Sequence, residues 1–238
     1  LRSDAAALEI GSGCGAITSY LAGACGLVDA VEPVAARARA ARARTRDMGD
    51  VAVFIGGVQD IPDEPAYDLA VVVGVLEYVA NGDRADEPYV EFLQALHRRL
   101  RDGGSLVLAI ENRLGVRYLA GSPEDHTGLM WDGVNGYPQG GAARTFSRAH
   151  LLRLLAAAGF RDTQVLSAFP DYKITRALLS DELLTDYPRL ARSLPHFPSP
   201  DWSVSVDHPV DEGVLWRELV DSGTGHVHGN SFVVIAGK

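Results

Sequence analysis

The sequence predicts an α/β fold built on a mostly parallel sheet with helices on both faces. Three observations predict it. Short apolar runs alternate with segments whose apolar residues recur every three or four positions, the pattern of successive βαβ units. The 238 residues, 47% hydrophobic and 22% charged, suffice to bury a core without disulfides or structural metal. Only two cysteines occur, Cys14 and Cys25, too few for a disulfide scaffold or a four-ligand zinc site.

The elements follow in order. Buried strands are expected at Ala6–Ile10, Leu27–Val31, Val51–Ile55, Leu69–Val73, Ser105–Ile110, Thr163–Phe169 and Ser231–Ala236, each a short apolar run bounded by turn signals. Between them, helices are expected at Ala16–Ala24, Val34–Arg46, Tyr89–Leu100 and Ser147–Ala158. Two stretches break the alternation. Residues 112–145, rich in Gly, Pro, Asp and Asn, read as a lid or binding loop. Residues 170–229 read as an insertion before the last strand, with a helix over Ile174–Tyr187.

Charge and hydropathy exclude several classes. A formal charge of −9 argues against a non-specific grip on nucleic acid. The basic run Arg37–Arg46 reads as the solvated face of a helix, with nucleic-acid contact the less favoured alternative. The apolar run Leu69–Leu76 falls far short of the roughly 20 residues a membrane span needs, and no secretory signal opens the chain. A cytoplasmic protein is expected. The abrupt start at Leu1 suggests a piece of a longer polypeptide with flanking domains.

The strongest chemical signal is Leu8-Glu9-Ile10-Gly11-Ser12-Gly13-Cys14-Gly15, a strand running into a glycine turn and a helix. Glycine lets the backbone turn tightly and a ligand approach closely, and the helix amides favour electronegative groups. Alone it is ambiguous, because Gly11, Gly13 and Ala16 also satisfy a dinucleotide pattern. Glu32, ending the second strand, suits a ribose hydroxyl pair in either setting. His226-x-His228 lacks a nearby third ligand, so an exposed turn is favoured over a metal site and no metal is expected.

The neighbouring motifs resemble the class I S-adenosylmethionine-dependent methyltransferases as far as about Phe169. Glu9 through Gly15 match the acidic-x-G-x-G-x-G motif. Glu32 matches the acidic residue of the second strand, and Gln59-Asp60 the polar-acidic pair near the adenine. Tyr67 through Val79 match the fourth strand and its exit, and Leu100-Arg101-Asp102-Gly103-Gly104-Ser105 the helix end before the fifth strand. The resemblance implies a seven-stranded Rossmann-like sheet, its last strand antiparallel, and S-adenosylmethionine as cofactor with S-adenosylhomocysteine as product. It places Glu9, Gly11, Ser12, Gly13, Gly15, Glu32, Gln59, Asp60, Gly74 and Glu77 around the cofactor. Gly11, Gly13 and Gly15 would bed its methionine and ribose, and Glu32 would accept from the ribose hydroxyls. Glu9 would order the loop or meet the ammonium through water. Asp60 would accept from the adenine amino group, or serve as a helix cap before Pro62. Glu77 is weighed equally as a solvated helix start.

The acceptor belongs beyond the carboxyl ends of the strands. His126 beside Asp125 is the candidate general base, because imidazole titrates near working pH and a carboxylate can orient it. A structural loop histidine is the bland alternative. Glu111 and Asn112 could bind acceptor hydroxyls, although Asn112 could equally cap a turn. Tyr118, Trp131 and Tyr137 could wall a pocket or form the core of a folded lid. Asp171, Tyr172 and Lys173, leaving the sixth strand, could complete the site. The segments Glu124–Gly128, Arg144–Ser147 and Phe169–Lys173 are similar to methyltransferase domains of bacterial multidomain proteins associated with surface polysaccharides. That similarity implies O-methylation of a sugar or glycan hydroxyl. N- or O-methylation of a small natural product is the alternative, and a non-catalytic methyltransferase-like module is another. A nicotinamide oxidoreductase ranks last, since no hydride-transfer site is visible. The usual N-terminal cover helices are missing, which implies weaker cofactor binding than in a longer polypeptide.

Overall fold

The computed structural model describes residues 2–200 and 208–238, so residues 201–207 of the expected insertion lie outside it. The strands are β1 (Ala6–Ile10), β2 (Leu27–Glu32), β3 (Val51–Ile55), β4 (Tyr67–Val73), β5 (Leu100–Glu111), β6 (Arg161–Phe169), β7 (Ala177–Ser180) and β8 (Ser231–Gly237). They form one sheet in the order β3-β2-β1-β4-β5-β8-β6-β7. The first five pair in parallel, and β8 lies antiparallel between β5 and β6. This is a Rossmann-like sheet, with its order reversing between β1 and β4.

Strand alternation builds a core on each face. Leu8 and Ile10 of β1, Ala70 and Val72 of β4, and Leu106, Leu108 and Ile110 of β5 join one cluster. Helices α3 (Glu87–Arg99) and α5 (Arg148–Ala157) cover that face with Tyr89, Leu93, Leu96, Leu151, Leu154 and Leu155. The residues between them, Ala7, Leu69, Val71 and Val107, turn to the opposite face. There α1 (Ala16–Ala24) supplies Leu21 and Ile17. Helix α2 (Ala35–Arg44) buries Ala38 and Ala41 and leaves Arg37, Arg39, Arg42 and Arg44 exposed, the solvated face expected of that run. Among the described residues, no helix is long and apolar enough to cross a membrane.

Gly15 caps α1 at φ +80°. A Cβ there would lie 2.8 Å from the Ala41 Cα, so the glycine permits both the left-handed turn and the close seat of α2. Gly15→Ala is expected to cost about 1–3 kcal/mol, measured by urea unfolding; an unchanged midpoint would show that α2 can shift freely.

The sheet has eight strands, not the seven expected. The extra one, β7, pairs antiparallel with Leu166–Phe169 of β6 inside the stretch expected to be helical. Its residues alternate, Leu179 buried and Leu178 48% exposed, which serves a half-buried strand. The helix begins only at α6 (Asp181–Asp186), where the Ser180 side chain accepts the Leu183 N–H and two acidic residues fill the first turn, a strong start signal. After it come α7 (Pro188–Ala191) and α8 (Glu212–Asp221). With Phe169, Leu179 and Leu184 they surround Trp216, which is fully buried and donates to the Ala191 carbonyl at 3.1 Å. Strand β5 also starts earlier than expected, because Tyr67 pairs with Leu100 before the register jumps to Leu69–Ser105.

Candidate active site

The first half of the site is the mouth of β1 and β2. Gly11, Gly13 and Gly15 all take positive φ, and the Gly11 and Ser12 amides donate to the Val31 carbonyl. Glu32 ties the two loops together: one carboxylate oxygen accepts the Gly13 N–H and the other the Val34 N–H, both at 2.9 Å. A Cβ on Gly13 would meet nothing within 4 Å, so the turn faces open space. Ser12 Oγ is buried without a partner among the described residues. An open glycine cradle, an orphaned hydroxyl and a positioned carboxylate fit the ribose and methionine parts of S-adenosylmethionine. Asp60 stands beyond β3, its Oδ2 accepting the Gly57 N–H at 2.8 Å and the Gln59 amide at 3.2 Å; it stabilises its own turn and stays exposed at the cradle's edge. Glu9 is buried and accepts the Thr18 hydroxyl at 2.6 Å. Burial pushes its carboxyl up against the opposing pull of that bond, and it orders the loop from below.

The second half gathers residues from the ends of β4, β5 and β6 with the loop between. Gly74 turns the chain out of β4 at φ +66°, and a Cβ there would lie 2.5 Å from the Tyr172 hydroxyl. Glu77, Glu111 and His126 each bring one polar atom within 4.8 Å of the others. Glu77 and Glu111 are each 1% exposed, and the Oε2 of each lacks a partner among the described residues. Burial, then the charge of Glu111, pushes the Glu77 carboxyl up to about 8. It is no solvated helix start.

Glu124, not the expected Asp125, orients His126. A tight turn brings Glu124 Oε2 to the His126 and Thr127 amides at 2.7 and 2.8 Å, and Oε1 to His126 Nδ1 at 2.8 Å. Burial draws the imidazole pKa down, but the bond and charge of Glu124, with the charges of Glu111 and Glu77, outweigh it and raise it. Tyr78 meets the His126 ring edge-on at 5.4 Å. Asp125 turns instead to Arg117 at 2.9 Å and Lys173 at 3.2 Å. Lys173 also reaches Glu111, and Asp171 at 3.3 Å. Its ammonium thereby fills the position where Glu111, Asp125 and Asp171 could have held a metal ion. The Glu77–Glu111–His126 trio is compact enough for a cation as well, but Lys173 already compensates Glu111.

The other expected acceptor residues divide. Tyr172 lies over Gly74 and under the Lys173 ammonium. Tyr137 is buried, its hydroxyl bonded to Glu124 at 3.1 Å and Thr145 at 2.6 Å, and it supports the histidine's carboxylate. Tyr118 is buried against the Arg117 guanidinium, whereas Trp131 is 40% exposed. Asn112 spends its side chain on the chain itself: it donates to the Val227 and Gly229 carbonyls and accepts from Leu114. Glu124, Arg117, Tyr78 and Thr145 also belong to the site, although no motif in the sequence marks them for a role there. A carboxylate two residues before a histidine in a turn-rich loop was the available signal for Glu124.

The raised Glu77 pKa has a measurable consequence. Between the ordinary carboxyl range and about 8 the folded state holds a proton that the unfolded state releases, so stability falls as pH rises through that window. Glu77→Gln cannot ionise. Its thermal midpoint is expected to match wild type near pH 4 and to exceed it increasingly toward pH 9. Parallel curves would place the Glu77 carboxylate in a solvated setting.

Residues 8–106 match the family model described as a methyltransferase domain. No protein of curated function matches the chain. Among solved structures, the chain is similar over its whole length to the methyltransferase in a complex with the Trm112 activator from Haloferax volcanii (14% identity, 84% of that chain, TM-score 0.60). It is similar in the same way to a possible histamine N-methyltransferase from Thermotoga maritima (22% identity, 84% of that chain, TM-score 0.55). With a phosphoethanolamine N-methyltransferase from Haemonchus contortus it shares 22% identity over 54% of its own length, spanning only 26% of that chain at a TM-score of 0.44. The structural likenesses establish the fold. The glycine turn and Glu32 both lie within the segment that matches the methyltransferase domain.

Proposed function

We propose that this enzyme methylates a hydroxyl on a sugar, a glycan or another small polar acceptor, with His126 as general base. The supporting observation is the Glu124–His126 pair set beside Glu77 and Glu111 at the strand ends, next to Gly74. When bound, S-adenosylmethionine supplies an activated methyl group and its own leaving group. The protein must then align an oxygen and take its proton. Glu124 engages Nδ1, leaving the other ring nitrogen to accept that proton. Glu77, whose carboxyl burial and Glu111 hold above the usual range, can in its protonated form donate a hydrogen bond to a second acceptor oxygen. Lys173, its pKa raised mainly by Glu111 against the effect of burial, keeps Glu111 compensated. Tyr172 covers Gly74 and keeps water from the transfer path.

A second reading has an amine as acceptor, favoured by the two unpartnered carboxylate oxygens of Glu77 and Glu111, which suit an ammonium. The polysaccharide-associated resemblance of the loops supports the sugar hydroxyl and a longer polypeptide with flanking domains. The unpaired thiols Cys14 and Cys25 suit a reducing, cytoplasmic setting. Labelled methyl transfer to sugars and to matched amino sugars, with the methyl position read by NMR, tests the proposal. O-methyl products that persist in the presence of a chelator support it, and N-methyl products alone would overturn it.

A further inference from the structure

Beside the active site lies a cleft of about 240 Å³ lined by Arg84, Arg113 and Arg144, the Tyr137 ring and the backbones of Gly136 and Gly140, among others. Each guanidinium is fixed through one nitrogen on a main-chain carbonyl: Arg84 on Tyr137 at 3.1 Å, Arg113 on Thr145, and Arg144 on Arg84 at 2.6 Å. A carbonyl orients a guanidinium without cancelling its charge. Arg113 also keeps a buried Nε without a partner among the described residues, and its ring contact is the Tyr137 face at 5.5 Å. None of the residues lining the cleft is acidic. Among the described residues, these three arginines make one ion pair, between Arg144 and Asp86 at 3.4 Å, and Asp86 is also engaged by His150. Three guanidiniums anchored on main-chain carbonyls, of which Arg144 alone is also paired with a carboxylate among the described residues, in a chain of net charge −9, form a ready fork for a planar or tetrahedral oxyanion.

The cleft adjoins the active site through shared residues. Tyr137 bonds Glu124, which holds His126, and the Arg144 amide donates to the Glu77 carbonyl at 2.8 Å. Arg113 stands two residues after Glu111. An added Cβ on Gly136 or Gly140, which also line the cleft, would meet nothing within 4 Å. We infer that the acceptor carries an anionic oxyacid group, a phosphate or a carboxylate, seated among Arg84, Arg113 and Arg144 while its hydroxyl meets His126. This deepens the proposed function and rests on it for the hydroxyl end alone.

The test is direct binding, by calorimetry on the full chain with S-adenosylhomocysteine present, of inorganic phosphate, a sugar phosphate, a uronic acid and the parent neutral sugar. The anionic sugars are expected to bind at least about tenfold more tightly than the neutral one. The preferred member of the pair identifies phosphate or carboxylate as the group. Arg84→Gln, at an exposed position, and Arg113→Gln are expected to erase that advantage, with cofactor-product affinity unchanged, and Arg113→Lys to restore only part of it. Equal binding of neutral and anionic sugars, or an advantage that survives both Gln variants, would overturn the inference. The two proposals fail separately. Anion binding lost in the variants with no hydroxyl methylated leaves the cleft and removes O-methylation. Methylation of neutral sugars with a KM indifferent to Arg84→Gln does the reverse.

Discussion

His126→Ala is expected to lower kcat on a hydroxyl acceptor by about 10²–10⁴-fold, the range a positioned general base contributes. Affinity for S-adenosylhomocysteine should stay within about twofold, because the glycine turn and Glu32 lie on other strands. The pH profile separates this role from a structural one. The base works when neutral, so the rate rises with pH through the imidazole pKa. That pKa is raised by Glu124, Glu111 and Glu77 over the opposing effect of burial. Glu124→Gln removes the largest of these raising influences, so the rising limb is expected to move to lower pH. The plateau should also fall, because the ring loses its orienting acceptor. The groups facing His126 are Glu124 on its own loop, Glu77 and Tyr78 after β4, and Glu111 at the end of β5, with Lys173 beyond Glu111. A limb that stays in place in Glu124→Gln would sink the assignment of His126 as base.

Glu32→Ala is expected to weaken S-adenosylhomocysteine binding by at least about a hundredfold. A carboxylate accepting from two hydroxyls makes two charge-assisted bonds, each worth roughly 1.5–3 kcal/mol. The substitution also strands the Gly13 and Val34 amides, which now share that carboxylate, so the turn loosens as well. Glu32→Gln keeps the shape and one acceptor and should fall between. Calorimetric affinities within about threefold of wild type for the Ala variant would show that Glu32 only braces the loops.

How much of this was legible in the sequence depends on how local each feature is. Glu9 through Gly15 and Glu32 sit in two successive strand ends, and parallel pairing of β1 with β2 brings such ends together in any doubly wound sheet. The two-faced cores were legible because a continuous apolar run such as Val71-Val72-Val73 leaves neither face of a strand fit for water, so helices must cover both. Strand β7 was not. Ala177-Leu178-Leu179-Ser180 is too short to show its period, and it becomes a strand only because β6 offers an open edge. The pairing of Glu124 with His126 was missed because adjacency in sequence suggested Asp125, whereas the turn at Glu124–Gly128 folds its first side chain back over the third residue. Lys173 meets Glu111 across the sheet ends, and Arg84, Arg113 and Arg144 meet in a cleft. No pattern in the chain announces such distant meetings.

The position of β8 carries a consequence for how each half of the site is held. The glycine turn, Glu32 and Asp60 all lie in the chain from β1 to β4, whose strands pair without β8. The acceptor half lies across a gap that only β8 closes, since β5 and β6 touch it on either side and not each other. The segment just ahead of β8 also staples the exit of β5, through Asn230 on the Asn112 and Arg117 amides and His228 on the Val116 amide. In the folded sheet, β8 is therefore the strand that holds the exit of β5 beside that of β6, and with it Glu111 within reach of Lys173. The two halves of the site thus rest on closures of different range: the glycine turn on pairings such as β1 with β4, and the Glu111–Lys173 end on the much longer-range pairing of β5 with β8.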